Sequence, residues 1–222
     1  MKIALDGPSG AGKSSLAKAI ARRMGIVYVD TGALYRSVGL YVRTHGVDPH
    51  DPAAVAAVLP AIRLRMAFEG GEQHIYLCGE DVGDRIRTPE ISMYASAVSA
   101  IPAVRAFLLE TQRSIARETD VIMDGRDIGT VILPDAEVKI FLTASPEARA
   151  RRRFLELQAK GTDTTYEAVL SDMEERDHND RTRKTAPAVP APDAVFLDNS
   201  DLSAEETVER ALSIIRGGQV RD

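Results

Sequence analysis

The sequence predicts an α/β fold, a three-layer arrangement with helices on both faces of a five-stranded parallel sheet. Three observations carry that expectation. Short apolar runs of strand length recur at residues 2–6, 26–30, 121–124, 138–142 and 195–198. Stretches of helical periodicity separate most of them, and such alternation marks a parallel sheet covered on both sides. Aspartate closes four of the five runs, at Asp6, Asp30, Asp124 and Asp198. Ligands of such sheets bind beyond the carboxyl ends of the strands, so these acids are expected to border a site.

Taken in order, the first strand runs into Gly7-Pro8-Ser9-Gly10-Ala11-Gly12-Lys13-Ser14, which fits G-x-x-x-x-G-K-[ST] at every position. A helix follows from Ser15, with Leu16, Ala19, Ile20 and Arg23 on related turns. Strand, glycine-rich turn and helix together form a phosphate loop. Its backbone N–H groups make an anion cradle, and the helix N-terminus adds partial positive charge. Lys13 is placed to reach the β/γ-phosphates of a nucleoside triphosphate, and the Ser14 hydroxyl to ligate Mg²⁺. The fold expected is therefore that of the P-loop NTPases.

After the second strand a helix is expected over residues 33–44. The polar, alternating region 62–86, broken by Gly70-Gly71, reads as an inserted hairpin. Helices follow near 90–98 and 102–117. Ser145 and Pro146 supply an N-cap and an N1 proline for an arginine-rich helix that ends near Lys160-Gly161. Thr164 and Glu167 have capping-box spacing for the next helix. Three prolines make 186–192 a linker, and 203–216 a closing helix.

Composition narrows the partners. At 222 residues with 27% charged side chains, the chain has the balance of an ordinary globular protein. One cysteine, Cys78, excludes an intramolecular disulfide framework and fits a reducing cytoplasm. The first strand starts at the N-terminus, which is expected to leave no room for a signal peptide, and no apolar stretch is long enough to span a membrane. A net charge of −5 argues against broad nucleic-acid binding, so anions must be held by local arginine clusters.

Three such clusters stand out: Asp30-Thr31-Gly32-Ala33-Leu34-Tyr35-Arg36, Asp124-Gly125-Arg126-Asp127, and the run from Arg176 to Arg183. Arg176, Asp180 and Arg183 share a helix face if the helix continues. Alone, that face reads as a solvated ion-pair ladder; beside a phosphate loop, the three clusters together read as a site for a second phosphate. Another small-molecule kinase on the same fold, a nucleotide-dependent switch, or a nucleic-acid patch at Arg149, Arg151, Arg152 and Arg153 remain alternatives. The four histidines form no constellation.

Those clusters, with Gly79-Glu80-Asp81-Val82, Ile86-Arg87-Thr88-Pro89, Ile128-Gly129-Thr130-Val131 and Pro134-Asp135-Ala136, resemble the bacterial cytidylate kinase family. The resemblance covers nearly the whole chain. It implies ATP + CMP → ADP + CDP by direct in-line transfer, with dCMP as a second acceptor and ATP and Mg²⁺ as cofactors. It also implies a cytoplasmic monomer without nucleic-acid or membrane partners. The implied division is a core (1–32, 102–148, 186–222), an NMP-binding region (33–101, with a bacterial-type insertion over about 62–101) and a lid (about 149–185). The implied catalytic groups are Lys13, Arg126, Arg176 and Arg183. For ATP they are Gly7, Pro8, Ser9, Gly10, Ala11, Gly12, Lys13, Ser14 (also the metal ligand), Ser15 and Arg153. In the acceptor site, Arg36, Arg126, Arg183 and Arg87 are implied for the phosphate, and Arg176 and Asp180 for phosphate and ribose. Ser96, Arg105 and Asp127 are implied for cytosine, Thr31 and Tyr35 line the pocket, and Asp124 fixes neighbouring arginines.

Overall fold

Five strands form one parallel sheet in a computed structural model that describes residues 1–70 and 72–217. They are β1 (Lys2–Asp6), β2 (Val27–Asp30) and, after an antiparallel insertion, β6 (Val121–Gly125), β7 (Val138–Thr143) and β8 (Val195–Asp198). Their order is β2-β6-β1-β7-β8, so β1 and the loop it feeds lie at the centre. Registers such as Leu5 opposite Asp124 and Asp30 opposite Asp124 bring the acidic strand ends level.

Helices cover both faces. α1 (Lys13–Met24) and α8 (Ala204–Ile215) bury Leu16, Ile20, Val208 and Leu212 against Ile3, Leu5, Ile122 and Ile140. On the other face Ala116 of α5 (Pro102–Glu118), with Ile128 and Ile132 of a π-helical turn, packs on Ala4, Val29 and Met123. A separate core joins α2 (Thr31–Thr44), α3 (Pro52–Val58), α4 (Pro89–Ser99) and the antiparallel β3 (Leu64–Glu69) and β4 (Glu72–Leu77), with the short exposed β5 (Glu80–Asp81) at the edge of that sheet. Leu34, Val38, Ile75, Ile91 and Val98 are at its centre. A small third body, α6 (Pro146–Ala159) with α7 (Tyr166–Thr182), closes over Ala150, Val169 and Met173.

Local chemistry explains where the structure departs from the sequence reading. α2 starts at Thr31 and not Ala33, because the Asp30 carboxylate accepts from Ala33 N at 2.9 Å and caps the helix two residues early. α3 was not anticipated, although Asp51 before Pro52 is a cap followed by an N1 proline, and Asp51 Oδ1 accepts from Ala53 N and Ala54 N. The cap of α7 is Thr165, not Thr164: Thr165 Oγ1 accepts from Ala168 N at 3.2 Å. Arg183 lies just past the end of α7 in extended conformation. The Gly70-Gly71 turn falls partly outside the described residues at Gly71. Among the described residues no single helix is long and apolar enough to cross a membrane.

Candidate active site

The phosphate loop is shaped by its glycines: Gly7, Gly10 and Gly12 have φ of 151°, 73° and 89°. Gly7 is also pressed against the sheet, where a Cβ would lie 2.0 Å from the Leu142 carbonyl oxygen. Lys13 is buried and forms no ion pair among the described residues; its Nζ donates to Pro8 O at 2.6 Å. Burial, and then the charge of Arg126, pull its pKa down to about 7, against the opposing pull of Asp124 and Asp6. A buried ammonium without a carboxylate partner fits a phosphate anion.

The resemblance implied that Asp124 fixes neighbouring arginines; among the described residues its charge favours the charged form of Arg126, but its direct hydrogen bonds go elsewhere. Its Oδ2 accepts from Ser14 Oγ at 2.7 Å and its Oδ1 from Tyr28 Oη at 3.1 Å, because the register of β6 between β1 and β2 points it at those two groups. Thr31 Oγ1 donates to Asp124 O at 2.7 Å. Burial raises the Asp124 carboxyl to about 6. Hydroxyl and carboxylate oxygens are the donors Mg²⁺ takes, one or two from protein and the rest from phosphate and water. Among the described residues no group of three or more acidic, His or Cys side chains forms a self-sufficient metal cage. Ser14 with Asp124 beside it thus fits a metal delivered with a nucleotide. Asp6, the first strand's acid, accepts from Ile128 N and Gly129 N, both at 2.8 Å. Asp198 departs from expectation: it is exposed and accepts from Ser200, while its neighbour Asn199 reaches the phosphate loop by donating to Ala11 O at 3.1 Å.

Opposite the loop, the arginines form a chain with acids between them. Arg105 and Asp127 make a buried ion pair. Arg183 Nη2 lies 3.8 Å from the same Asp127, and its Nη1 is 3.5 Å from Asp180 and donates to Ser99 Oγ at 3.1 Å. Arg126 Nε donates to Asp180 Oδ2 at 2.8 Å. Burial opposes charge on Asp180, but Arg126 and Arg183 outweigh it and hold the carboxyl below its ordinary value. Arg176 stands near Arg126; burial and then that like charge push it down. The Arg105 guanidinium lies 5.5 Å from the Tyr35 ring centre. Arg36 Nη2 bonds Asp30 Oδ2 at 2.7 Å, and its buried Nε has no hydrogen-bond partner among the described residues. Arg36, the exposed Arg87 and Arg153 line one cleft with Ser14.

Some sequence-predicted residues stand apart. Ser96 accepts from Ser99 Oγ through its carbonyl at 2.8 Å, one helical turn before Ser99, which is the residue that meets Arg105 and Arg183. Ser15 is exposed at the start of α1. Arg153 pairs with Glu156 at 2.8 Å, whereas the arginine of α6 that touches the loop is Arg149, donating to Ser9 O at 2.8 Å and Asp177 Oδ2 at 2.6 Å. Arg152 donates to Asn199 Oδ1 at 3.1 Å. Asp177 also accepts from Ser9 N at 3.2 Å, so α7 touches the loop directly. Tyr28, Ser99, Asn199 and Asp177 were not singled out in the sequence. Asp177 alone stood beside a signal, inside the Arg176 to Arg183 run.

Comparisons with known proteins point to one family. The family model described as cytidylate kinase matches residues 3–217. The cytidylate kinase of Fervidobacterium nodosum is 50% identical over 215 residues, covering 97% of this chain and 96% of that one. That of Caldicellulosiruptor bescii is 48% identical over 214 residues, covering 96% and 95%, and that of Rhodococcus opacus is 46% identical, covering 96% and 93%. Among solved structures, a shikimate kinase from Bacteroides thetaiotaomicron is 13% identical with a TM-score of 0.49, covering 97% and 98%, a likeness too loose to bear on substrate. A phosphate loop facing an arginine chain, with relatives at this identity along almost its full length, makes this chain a member of the cytidylate kinase family.

Proposed function

We propose that this protein transfers the γ-phosphoryl group of ATP directly to the phosphate of CMP, giving ADP and CDP, with dCMP as a second acceptor. The observation that carries the reading is the arginine chain from Arg105 through Asp127, Arg183 and Asp180 to Arg126, set against Lys13 across the strand ends. An acceptor that is already an ionised phosphate needs no general base, and catalysis then rests on positioning and charge neutralisation. Guanidinium groups suit that task because they are permanently charged and bind phosphate bidentately.

In this reading the loop amides, Lys13 and Ser14 hold the ATP phosphates, and Ser14, with Asp124 beside it, would hold a Mg²⁺ ion that would supply positive charge to neutralise them. Arg36, Arg126 and Arg183 hold the acceptor phosphate in line, while Arg176 and Asp180 bring the lid onto it. Arg105 fixes the Asp127 carboxylate, which accepts from the 4-amino group of cytosine and would face a bare oxygen in uracil. Such an unpaired contact costs about 1–3 kcal/mol, a tenfold to hundredfold preference. The core, NMP-binding region and lid follow the division implied above, with the protein a cytoplasmic monomer. The test is ADP release with ATP and Mg²⁺ against CMP, dCMP, UMP, AMP, GMP and shikimate. Turnover confined to CMP and dCMP is expected; another preferred acceptor would reassign Asp127 and Arg105, and none would revive the switch alternative.

A further inference from the structure

Gln73 lies on β4, in the inserted sheet, outside every motif that carried the resemblance. Its side-chain amide is docked on the backbone of a residue 43 positions away: Asp30 N donates to Gln73 Oε1 at 2.8 Å, and Gln73 Nε2 donates to Asp30 O at 3.2 Å. β2 is the edge strand of the parallel sheet. The amide therefore takes the place that a peptide group of a further strand would fill.

Asp30 is committed on its other side as well. Its Oδ1 caps α2 through Ala33 N, and its Oδ2 holds Arg36 Nη2 at 2.7 Å. Arg36 Nε stays buried with no partner among the described residues. Gln73 and its hairpin neighbours Phe68 and Ile75 line the same cleft as Asp30, Arg36 and Ser14. A connected set results: Gln73 fixes the Asp30 backbone, the Asp30 carboxylate fixes Arg36, and Arg36 retains an N–H to offer.

We infer that Gln73 is a positioning residue for the acceptor phosphate, through which the inserted sheet sets the orientation of Arg36. The inference rests on the proposed function. It assigns the hairpin a part in binding the phosphate of CMP as distinct from its base. A hairpin that only sealed the sheet edge would affect CMP and cytidine alike, because loss of the edge contact would loosen the whole pocket.

The test uses the full chain with Gln73→Ala and the near-isosteric Gln73→Glu. Glu keeps an acceptor for Asp30 N, loses the donor to Asp30 O, and brings a negative charge towards Arg36. Steady-state kinetics would give KM for CMP and for ATP, and inhibition by cytidine would report binding without a phosphate. Gln73→Ala is expected to raise KM for CMP about five- to tenfold, with kcat, KM for ATP and the cytidine inhibition constant within about twofold. Gln73→Glu is expected to raise KM for CMP at least as much, and it decides the matter if the alanine variant does not fold. An unchanged KM for CMP, or equal weakening of CMP and cytidine, would overturn the inference while leaving the function intact. If the unsubstituted protein did not phosphorylate CMP, the functional reading and this inference would fall together.

Discussion

The two halves of the site are built from different materials. On the proposed ATP side a single run of eight residues, Gly7 to Ser14, makes the cradle, mostly from backbone, with three positive-φ glycines setting its curve. On the proposed acceptor side the groups come from α2, α4, α5, α7 and the segments that follow β6 and α7, and side chains do the holding. In the first half Lys13 is buried and, among the described residues, makes no direct ion pair, although Asp124 and Asp6 act on it from further off; in the second, Arg105, Arg126 and Arg183 each face an acid. The difference teaches where stability and function separate. A charge with no protein partner can be removed without harm to the fold, whereas one tied into a buried network cannot.

Lys13→Ala is the largest test of that contrast. It is expected to lower kcat on the order of a thousandfold while leaving the thermal midpoint unchanged or raised, since a desolvated ammonium is removed. A variant of near-normal turnover, measured by ADP release, would break the comparison on the ATP side. Asp127→Ala should do two things together. Arg105 would be left buried without its acid, costing about 3 kcal/mol of stability by urea titration. The preference for CMP over UMP should also fall tenfold to hundredfold. Full stability in this variant would mean that the acceptor half is no more interdependent than the loop.

Asp6 links the halves, because it leaves β1 beside the loop yet holds Ile128 N and Gly129 N beyond Asp127. Burial raises its pKa from 3.8 to about 6 against the lowering effect of those two N–H bonds. The folded state therefore keeps this proton where the unfolded chain has lost it. That contribution to stability is complete below about pH 4 and disappears as the pH climbs through 6. Measured against Asp6→Asn, the unsubstituted protein should lose about 2–3 kcal/mol across that window. A constant difference would show that the carboxylate is not desolvated. The smallest expected effect is Ser99→Ala, which removes one bond to Arg183 and should raise KM for CMP about two- to fivefold with ATP unaffected.

What could be read in advance follows the same division. The sheet, its helices and the loop were legible because each rests on local pattern: apolar runs, caps, and glycines at fixed spacing. α3 rests on a signal equally local, the Asp51 cap before Pro52, but its seven residues are too few to show a helical period. Arg36, Arg126 and Arg183 were pointed to by clusters and by the resemblance, and the near-sequence pairs Arg36–Asp30 and Arg183–Asp180 lay within those clusters, but the long-range partners could not be read. That Asp124 turns to Ser14 and Tyr28, that Ser99 receives Arg183, and that Asn199 rather than Asp198 meets the loop are products of strand register and helix crossing. No spacing in the chain encodes them. Gln73 shows this most fully, since nothing in an alternating hairpin tells which side chain will land on an edge 43 residues earlier.

Gly7 has a bearing on how this sequence can vary over generations. A methyl group there would meet the Leu142 carbonyl oxygen at 2.0 Å, and that oxygen belongs to strand backbone that cannot swing aside. Every missense change of the codon should therefore be purged, whatever its polarity. At Gly25 and Gly46 a Cβ meets nothing within 4 Å, and the positive φ is one that asparagine or aspartate tolerates. In a saturation library screened for growth or turnover, position 7 should return glycine alone, while positions 25 and 46 retain a narrow set of survivors.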